Sequence, residues 1–395
     1  MKGSLSEFEQ LLGYRFNNKD LIKQALIRKS AFNEKPYLFE TYDEKVNKRL
    51  EYSGDAVLSC VISSLLMVKY PLFKVGDLSY KRDSLISTDN FHTIAQNLKI
   101  DKFASLGEGE HKVLYYLNSK IPSDIIKTLI GAIFKDSTKD YSKVKRVITT
   151  LWKPLETFDF YSVSSSFFPK ETYDLESITS LNRTFKNKDL FKQALTHASL
   201  TNEKKDKDNE TLEFFGDSIL RLVVSDLLME ENPRYNVDKL NQERDELVSN
   251  KKDSMLHRIA DKLKISNFIN IGKGVDRCTL NMLIDTVEAL IGAIFIDCDE
   301  DYSCIKASID KCKRSYQEST IPKVIPESGS KMITESPSGS LLRFSSRYEQ
   351  QRGSYCGCKS LGCYGLVCAT VIALAATTII ASDDNINKSE PRLRP

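Results

Sequence analysis

The sequence contains the same order of segments twice, and this duplication constrains the fold more than any other feature. FNNKDLIKQAL, which begins at Phe16, returns as FKNKDLFKQAL at Phe185. RLEYSGDAVL at Arg49 then matches TLEFFGDSIL at Thr211, and LIGAIF follows once in each half. The shared order extends over roughly 135 residues, which is too long for one unit of a solenoid. The chain is therefore predicted to contain two copies of one whole domain.

Composition changes mark the borders of the two copies. Residues 161–174 (YSVSSSFFPKETYD) are serine-rich and contain a proline, which is typical of a linker. From about Ile321 the chain becomes rich in Ser, Pro and Gly, a composition typical of disorder. We predict a first repeat at residues 6–155, a linker at 156–174 and a second repeat at 175–315. A disordered tail is predicted at 316–395, with a short apolar segment at 361–382.

Apolar residues in both copies recur at the spacing of helices. LIKQALI, AVLSCVISSLLMVKY and TVEALIGAIF place them three and four positions apart, and alternating runs between turn residues are scarce. This pattern predicts an all-α fold for each repeat.

Charge and cysteine content add weaker constraints. Lys and Arg number 57 against 54 for Asp and Glu, so the total charge neither requires nor excludes a polyanionic partner. Five of the nine cysteines are scattered through the repeats without metal-ligand spacing, as reduced intracellular thiols are. The start, MKGSLSEFEQLLG, lacks the basic-then-apolar order of a secretory signal. We expect an intracellular protein, nuclear or cytoplasmic rather than organellar.

Two carboxylate pairs lie inside apolar sequence in the second repeat. Glu213 and Asp217 are spaced i, i+4, and Asp285 and Glu288 are spaced i, i+3, so each pair projects from one face of its helix. Four gathered carboxylates repel one another unless cations join them, and hard oxygen ligands suit Mg²⁺ or Mn²⁺ and phosphoryl chemistry. The pattern also fits solvated helix faces.

The surrounding residues decide between these interpretations. LEFFGDSIL with IDTVEALIGAIF, preceded by FKNKDLFKQALTHASL, resembles the ribonuclease III domain, in which a Leu-Glu-Phe-Leu-Gly-Asp helix pairs with an Asp-x-x-Glu-Ala helix. The chain resembles the nuclease pair of Dicer without helicase or PAZ regions, and more closely the small plant ribonuclease III-like proteins. The resemblance implies that the two repeats pair as an intramolecular pseudodimer around a valley for double-stranded RNA. It also implies that a carboxylate cluster with Mg²⁺ or Mn²⁺ hydrolyses one strand.

The resemblance assigns catalytic and metal-binding roles to four residues of the second repeat, Glu213, Asp217, Asp285 and Glu288. Glu210 stands one turn before Glu213 and is the acidic neighbour usual in the family.

The first repeat departs from this pattern. Glu51, Asp55 and Asp124 match three of the four carboxylates, but Lys127 replaces the fourth and Lys48 replaces Glu210. Divalent cations are far less favoured there. We therefore expect a degenerate site at Glu51, Asp55, Asp124 and Lys127, in which Lys127 pairs with a neighbouring carboxylate or contacts a phosphate.

Two further roles follow from the resemblance. Phe214 matches the position that packs into the partner domain, and Tyr52 is its counterpart in the first repeat; ordinary core packing is the alternative. Lys251, Lys252 and Arg258 are placed to contact RNA phosphates, and a solvated helix face is the alternative.

The C-terminal region is predicted to lack an RNA-binding domain, since alternating strands and a basic helix start are not seen after Lys313. We expect a homodimer, or a partner protein that supplies a double-stranded-RNA-binding domain. The uncharged stretch Leu366–Ala381 is shorter than the roughly 20 residues of a spanning helix. A poorly ordered tail is therefore preferred over a membrane anchor, for which Cys356, Cys358 and Cys363 would be lipidation candidates.

The sequence thus predicts a double-stranded-RNA endoribonuclease with one complete catalytic centre in the second repeat. The alternative is a non-catalytic double-stranded-RNA-binding or ribonucleoprotein-assembly protein of the same fold, which the loss of carboxylates in the first repeat favours.

Overall fold

The computed structural model describes residues 3–71, 73–114, 119–153, 185–204, 207–275 and 277–320. The predicted linker at 156–174 and the apolar segment at 361–382 lie outside the described residues. The described residues form seventeen α-helices: α1 Leu5–Leu12, α2 Lys19–Leu26, α3 Lys29–Glu34, α4 Glu44–Lys69, α5 Val75–Leu85, α6 Thr88–Asn97, α7 Ile100–Phe103, α8 Glu108–Val113, α9 Ile121–Asp136, α10 Tyr141–Trp152, α11 Lys188–Ala194, α12 Ala198–Lys204, α13 Glu210–Glu231, α14 Val237–Leu247, α15 Met255–Lys262, α16 Leu280–Asp297 and α17 Tyr302–Thr320. Two 3₁₀ helices cover Pro36–Leu38 and Ile265–Asn267.

The all-α prediction is confirmed for the described part of the chain, which contains no β-strand. Two isolated bridges occur at corresponding places of the two repeats, between Ile27 and Ser105 and between Thr196 and Asn270. The last helix continues to Thr320, so residues 316–320, predicted as tail, are helical.

Identical local contacts build each repeat. In the first, the carboxylate of Asp136 at the end of α9 accepts hydrogen bonds from the backbone N–H groups of Asn17 (2.8 Å) and Asn18 (2.8 Å). In the second, Asp297 at the end of α16 accepts hydrogen bonds from the N–H groups of Lys186 (3.0 Å) and Asn187 (2.8 Å). The side chains of Asn18 and Asn187 then cap α2 and α11. The duplicated sequence therefore produces a duplicated fold.

In each repeat, the two helices that carry the predicted carboxylates pack tightly against each other: α13 against α16 in the second repeat, and α4 against α9 in the first. A Cβ added to Gly216 of α13 would lie 1.8 Å from the carbonyl oxygen of Glu288 on α16. In the first repeat, a Cβ on Gly54 of α4 would lie 1.8 Å from the carbonyl oxygen of Lys127 on α9. Only glycine permits this approach of two backbones, and it sets the separation of the carboxylates.

The two repeats pair face to face through reciprocal contacts. Phe134 of the first repeat meets Tyr302 of the second edge-on at 5.2 Å, and Tyr141 of the first meets Phe295 of the second at 5.1 Å. Phe134 corresponds to Phe295 and Tyr141 to Tyr302, so each repeat contributes one Phe and one Tyr to the two ring contacts. The buried side chains of both repeats form one hydrophobic core, in which α4 packs against α13. The expected intramolecular pseudodimer is thereby confirmed.

The first helix of this central pair, α4, is the one helix of the described residues that passes the length and composition test for a membrane span. By length and composition α4 could cross a membrane, but 78% of its apolar window is buried inside the protein. The hydrophobic residues of α4 are accounted for by the shared core.

Candidate metal centre

Three of the four predicted ligands in the second repeat come together. Glu213 on α13 and Asp285 and Glu288 on α16 each offer a carboxylate oxygen, and these oxygens lie within 4.8 Å of one another. The contact of Gly216 with the Glu288 carbonyl holds the two helices at this distance. Glu288 is only 5% exposed, whereas Glu213 and Asp285 are half-buried.

The electrostatics of this cluster are unfavourable without a cation. Burial, reinforced by the charges of Asp285 and Glu210, raises the pKa of Glu213 to about 8. Burial raises the pKa of Asp285 to about 6. Burial also holds the pKa of Glu288 well above its usual value, and Asp217 and Glu213 raise it further. Within the described residues, none of the three cluster carboxylates makes an ion pair with Lys, Arg or His.

Asp217, the fourth predicted ligand, is placed differently. Both of its carboxylate oxygens accept hydrogen bonds from Nε of Arg221, at 2.8 and 3.0 Å. Asp217 is therefore outside the group of three, although its charge acts on Glu288. Arg221 lies four residues after Asp217 on α13, a spacing that favours an ion pair and was visible in the sequence.

The donor set fits a divalent cation. Carboxylate oxygens are the ligands that Mg²⁺ and Mn²⁺ prefer. Burial of three carboxylates without a protein cation disfavours their charged forms, and a bound ion would stabilise those charged forms. Glu213, Asp285 and Glu288 are the residues that would hold it.

The corresponding carboxylates of the first repeat are each occupied by a cation. Nζ of Lys127, which stands where the second repeat has Glu288, lies 2.7 Å from Asp55. Nζ of Lys48, which stands where the second repeat has Glu210, lies 2.8 Å from Glu51. The substituted lysines therefore neutralise the site from within.

A third cation in this site was missed by the sequence analysis. The guanidinium of Arg28 lies 3.1 Å from Asp124 and 3.1 Å from Glu110, and it is largely buried. In the second repeat the same position is His197, whose Nδ1 accepts a hydrogen bond from the N–H of Ser199. The alignment of FNNKDLIKQALIRKS with FKNKDLFKQALTHAS pairs Arg28 with His197 and was the available signal.

The two sites therefore differ in charge. Six matched positions give a formal charge of zero in the first repeat and −5 in the second with neutral histidine: Arg28/His197, Lys48/Glu210, Glu51/Glu213, Asp55/Asp217, Asp124/Asp285 and Lys127/Glu288. The neutral site opens into a groove of about 730 Å³ that both repeats line.

The aromatic residues predicted at the dimer interface lie between the repeats. Phe214, 5% exposed, packs under the guanidinium of Arg82 from the first repeat at 4.9 Å. Tyr52, 7% exposed, packs under Arg244 from the second repeat at 5.6 Å, and its hydroxyl accepts a hydrogen bond from Ser225 at 3.0 Å. The two arginines occupy the same place in the repeated segments GDLSYKRDSLIS and DKLNQERDELVS, and the sequence analysis did not single them out.

Of the three residues predicted to contact RNA, two are exposed and one is engaged in contacts within the protein. Lys251 and Lys252 are exposed in the loop before α15. Arg258 instead packs over the ring of Tyr316 at 5.8 Å and donates a hydrogen bond to Ser319 at 3.3 Å. Arg258 thus holds α17 against α15, and the two lysines are the exposed part of the predicted contact.

The fold and the site together define a class of protein: paired all-helical domains whose two central helices place carboxylates at a glycine contact. The family model described as Ribonuclease-III-like matches residues 18–154 and 187–309, and the chain belongs to this family. Because the match falls on both repeats, the protein is a tandem ribonuclease III-domain protein.

Similar proteins and structures cover parts of the chain. A relative named "Ribonuclease 3" from Aromatoleum aromaticum is 31% identical over 155 residues, 39% of this chain and 63% of the relative. One of the same name from Shewanella oneidensis is 40% identical over 126 residues, 32% of this chain and 51% of the relative. The chain thus spans less than two thirds of the length of either relative.

Among solved structures, the nuclease domain of ribonuclease III from Campylobacter jejuni matches with 30% identity and a TM-score of 0.34, over 40% of this chain and 99% of that domain. Dicer from Giardia matches with 16% identity and a TM-score of 0.47, over 70% of this chain and 55% of Dicer.

Proposed function

We propose that this protein is an endoribonuclease that hydrolyses double-stranded RNA with Mg²⁺ or Mn²⁺, and that its one complete catalytic centre lies in the second repeat. The observation that carries the proposal is the cluster of Glu213, Asp285 and Glu288, which share one small volume without a protein cation. Membership of the Ribonuclease-III-like family supports the substrate class and the reaction.

The residues of the second repeat have separate roles in this proposal. Glu213, Asp285 and Glu288 would hold a divalent ion, which would supply Lewis-acid chemistry for activating water and stabilising charge on the scissile phosphate. Asp217 adds negative charge beside them. Arg221 fixes the carboxylate of Asp217 through its Nε, so that Asp217 keeps a constant orientation along α13.

The first repeat supports binding of the duplex rather than its cleavage. Its three carboxylates are paired with Arg28, Lys48 and Lys127, so the attraction for a divalent ion is lost. Five basic and four acidic side chains line the groove beside this site, a formal charge of +1, and basic side chains in a groove attract a phosphate backbone without reading its bases. The pseudodimer should therefore cut one strand of the duplex that it binds.

The test compares matched carboxylate variants of the full chain on a long, uniformly labelled RNA duplex with Mg²⁺. Glu288→Gln keeps the side-chain volume and removes a ligand charge. We expect the cleavage rate to fall at least about 100-fold, since even outer partners of metal ligands contribute about 10- to 100-fold. Asp124→Asn is the control in the first repeat, where Arg28 retains Glu110 as a partner, and it should cleave near the unmutated rate. Equal rates for Glu288→Gln and the unmutated protein would remove the cluster from the mechanism.

A second candidate is a non-catalytic protein that binds double-stranded RNA or assembles ribonucleoprotein particles. The three ion pairs of the first repeat favour it, because they give one half of the molecule a structural site. Retention of duplex RNA on a filter without cleavage products, at every Mg²⁺ and Mn²⁺ concentration tried, would support this candidate over the nuclease.

A further inference from the structure

The loops that follow α9 and α16 have the same backbone but opposite charges. Lys139 and Glu300 occupy the same position of the two repeats, and both adopt left-handed conformations, with φ of 64° and 57°. The N–H of Lys139 donates to the carbonyl of Phe134 at 2.8 Å, and the N–H of Glu300 donates to that of Phe295 at 3.0 Å. The two loops therefore present a cation and an anion to the partner repeat from equivalent places.

At the first junction between the repeats, Lys139 meets acidic residues of α13. Its Nζ lies 2.6 Å from Asp226 and also contacts Glu230. Lys306 of the second repeat lies 2.8 Å from Asp226 and 2.7 Å from Glu230. Two cations and two anions balance here, around an Asp226 side chain that is only 5% exposed.

At the second junction, Glu300 meets a cation of the first repeat. Its carboxylate lies 2.6 Å from Nζ of Lys145 and accepts a hydrogen bond from the hydroxyl of Ser64 at 3.1 Å. Ser64 stands on α4 where Asp226 stands on α13, and Lys145 corresponds to Lys306. One cation and one anion balance at this junction.

The same geometry built from two like repeats would not balance. With two second repeats, Glu300 would face Asp226, Glu230 and Lys306, which gives a charge of −2 at each junction. With two first repeats, Lys139 would face Ser64 and Lys145, which gives +2 at each junction. Like charges in a partly buried interface are strongly unfavourable, and they discriminate against wrong partners.

We propose that this exchange of charge selects the partner of each repeat: the first repeat accepts the second, and neither accepts another copy of itself through this face. The protein therefore remains an intramolecular pair, and two second repeats do not come together to form a double site. The inference concerns association and stands whether or not the cluster cleaves RNA.

A double charge exchange in the full chain tests this selection. Within one chain, Lys139→Glu with Glu300→Lys gives a charge of −2 at the first junction and +2 at the second. When two like repeats from two such chains pair instead, the charge at each junction is zero. By sedimentation, we expect the unmutated protein to have the mass of one chain and the double variant to have the mass of two chains. The control Lys135→Glu with Glu318→Lys exchanges two exposed charges outside the junctions and should leave one chain. A double variant that stays a single chain with unchanged melting temperature would overturn the proposal, as would an unmutated chain that pairs through this face.

A rescue experiment keeps the proposal falsifiable if the double variant folds poorly. Glu300→Lys alone places two lysines together at the second junction, and its melting temperature by circular dichroism should fall. Adding Lys145→Glu restores one cation and one anion at the same place, and the melting temperature should return toward that of the unmutated protein. Equal melting temperatures for Glu300→Lys and the Glu300→Lys, Lys145→Glu pair would show that charge does not decide the pairing.

Discussion

Replacement of Gly216 by alanine tests how the fold sets the spacing of the acidic cluster. The new Cβ would lie 1.8 Å from the carbonyl oxygen and 2.6 Å from the carbonyl carbon of Glu288. Both atoms belong to the backbone of α16, so no side chain can swing aside. Ordinary contact begins at 3.4 Å, so α13 and α16 must separate by roughly 1.5 Å, and Glu288 moves away from Glu213.

The magnitude follows from two opposing effects. Overpacking of a well-packed interior costs about 1–3 kcal/mol, and the rigid contact favours the upper end. Alanine in a helix gains about 1 kcal/mol over glycine. The net loss is about 2 kcal/mol, which for the larger single domains corresponds to a melting temperature lower by about 4–8 °C. Cleavage should fall by about 100-fold, the effect of misplacing a reacting group by about 1 Å.

The assay measures melting by circular dichroism and cleavage per folded molecule for three glycine variants. Gly54→Ala creates the same 1.8 Å clash in the first repeat, so it should lose similar stability and keep cleavage near the unmutated rate. Gly76→Ala, which meets nothing within 4 Å, should not lower the melting temperature. If Gly54→Ala reduced cleavage as much as Gly216→Ala, the activity loss would reflect general destabilisation and the reasoning would be refuted.

Two further predictions concern the charges of the two sites. Mg²⁺ should stabilise the unmutated chain and raise its melting temperature; at 100 times the dissociation constant, the added free energy of unfolding is about 2.7 kcal/mol. This rise in melting temperature should be absent in Glu288→Gln. An equal rise in both proteins would place the ion elsewhere. In the first repeat, Lys127→Glu alone should not restore cutting, because Arg28 and Lys48 still occupy Asp124 and Glu51. Paired cuts should instead require Arg28→His, Lys48→Glu and Lys127→Glu together, and full activity from Lys127→Glu alone would contradict this account.

The sequence predicted the fold and most of the second site because these depend on repeated local signals. The duplicated segments and helical spacing implied two all-α repeats, and the resemblance to the ribonuclease III domain implied that they pair. Helical spacing placed each carboxylate pair on one helix face, and the resemblance to the ribonuclease III domain joined the two pairs into one site; the structure brings Glu213, Asp285 and Glu288 within 4.8 Å. Asp217 was grouped with them because helical spacing shows which face a residue shares, but not that Arg221 engages it first.

The remaining features depend on contacts between distant segments. Arg28 precedes Asp124 by 96 residues, so their ion pair appears only after α2 and α9 have packed. The opposite charges of Lys139 and Glu300 gain meaning only when the two repeats face each other. Composition and periodicity describe single elements, and they do not specify which side chains meet across an interface.

Cleavage of a short RNA duplex under high dilution tests the central claim of one complete site most directly. Each strand is labelled separately, and the same Mg²⁺ reaction is run on denaturing and native gels. We predict cut strands on the denaturing gel while the native gel still shows intact duplex, because the ion-paired first repeat leaves the opposite strand uncut. If double-stranded fragments instead appear on the native gel as fast as cut strands appear on the denaturing gel, the first repeat is a second active site and the account is contradicted.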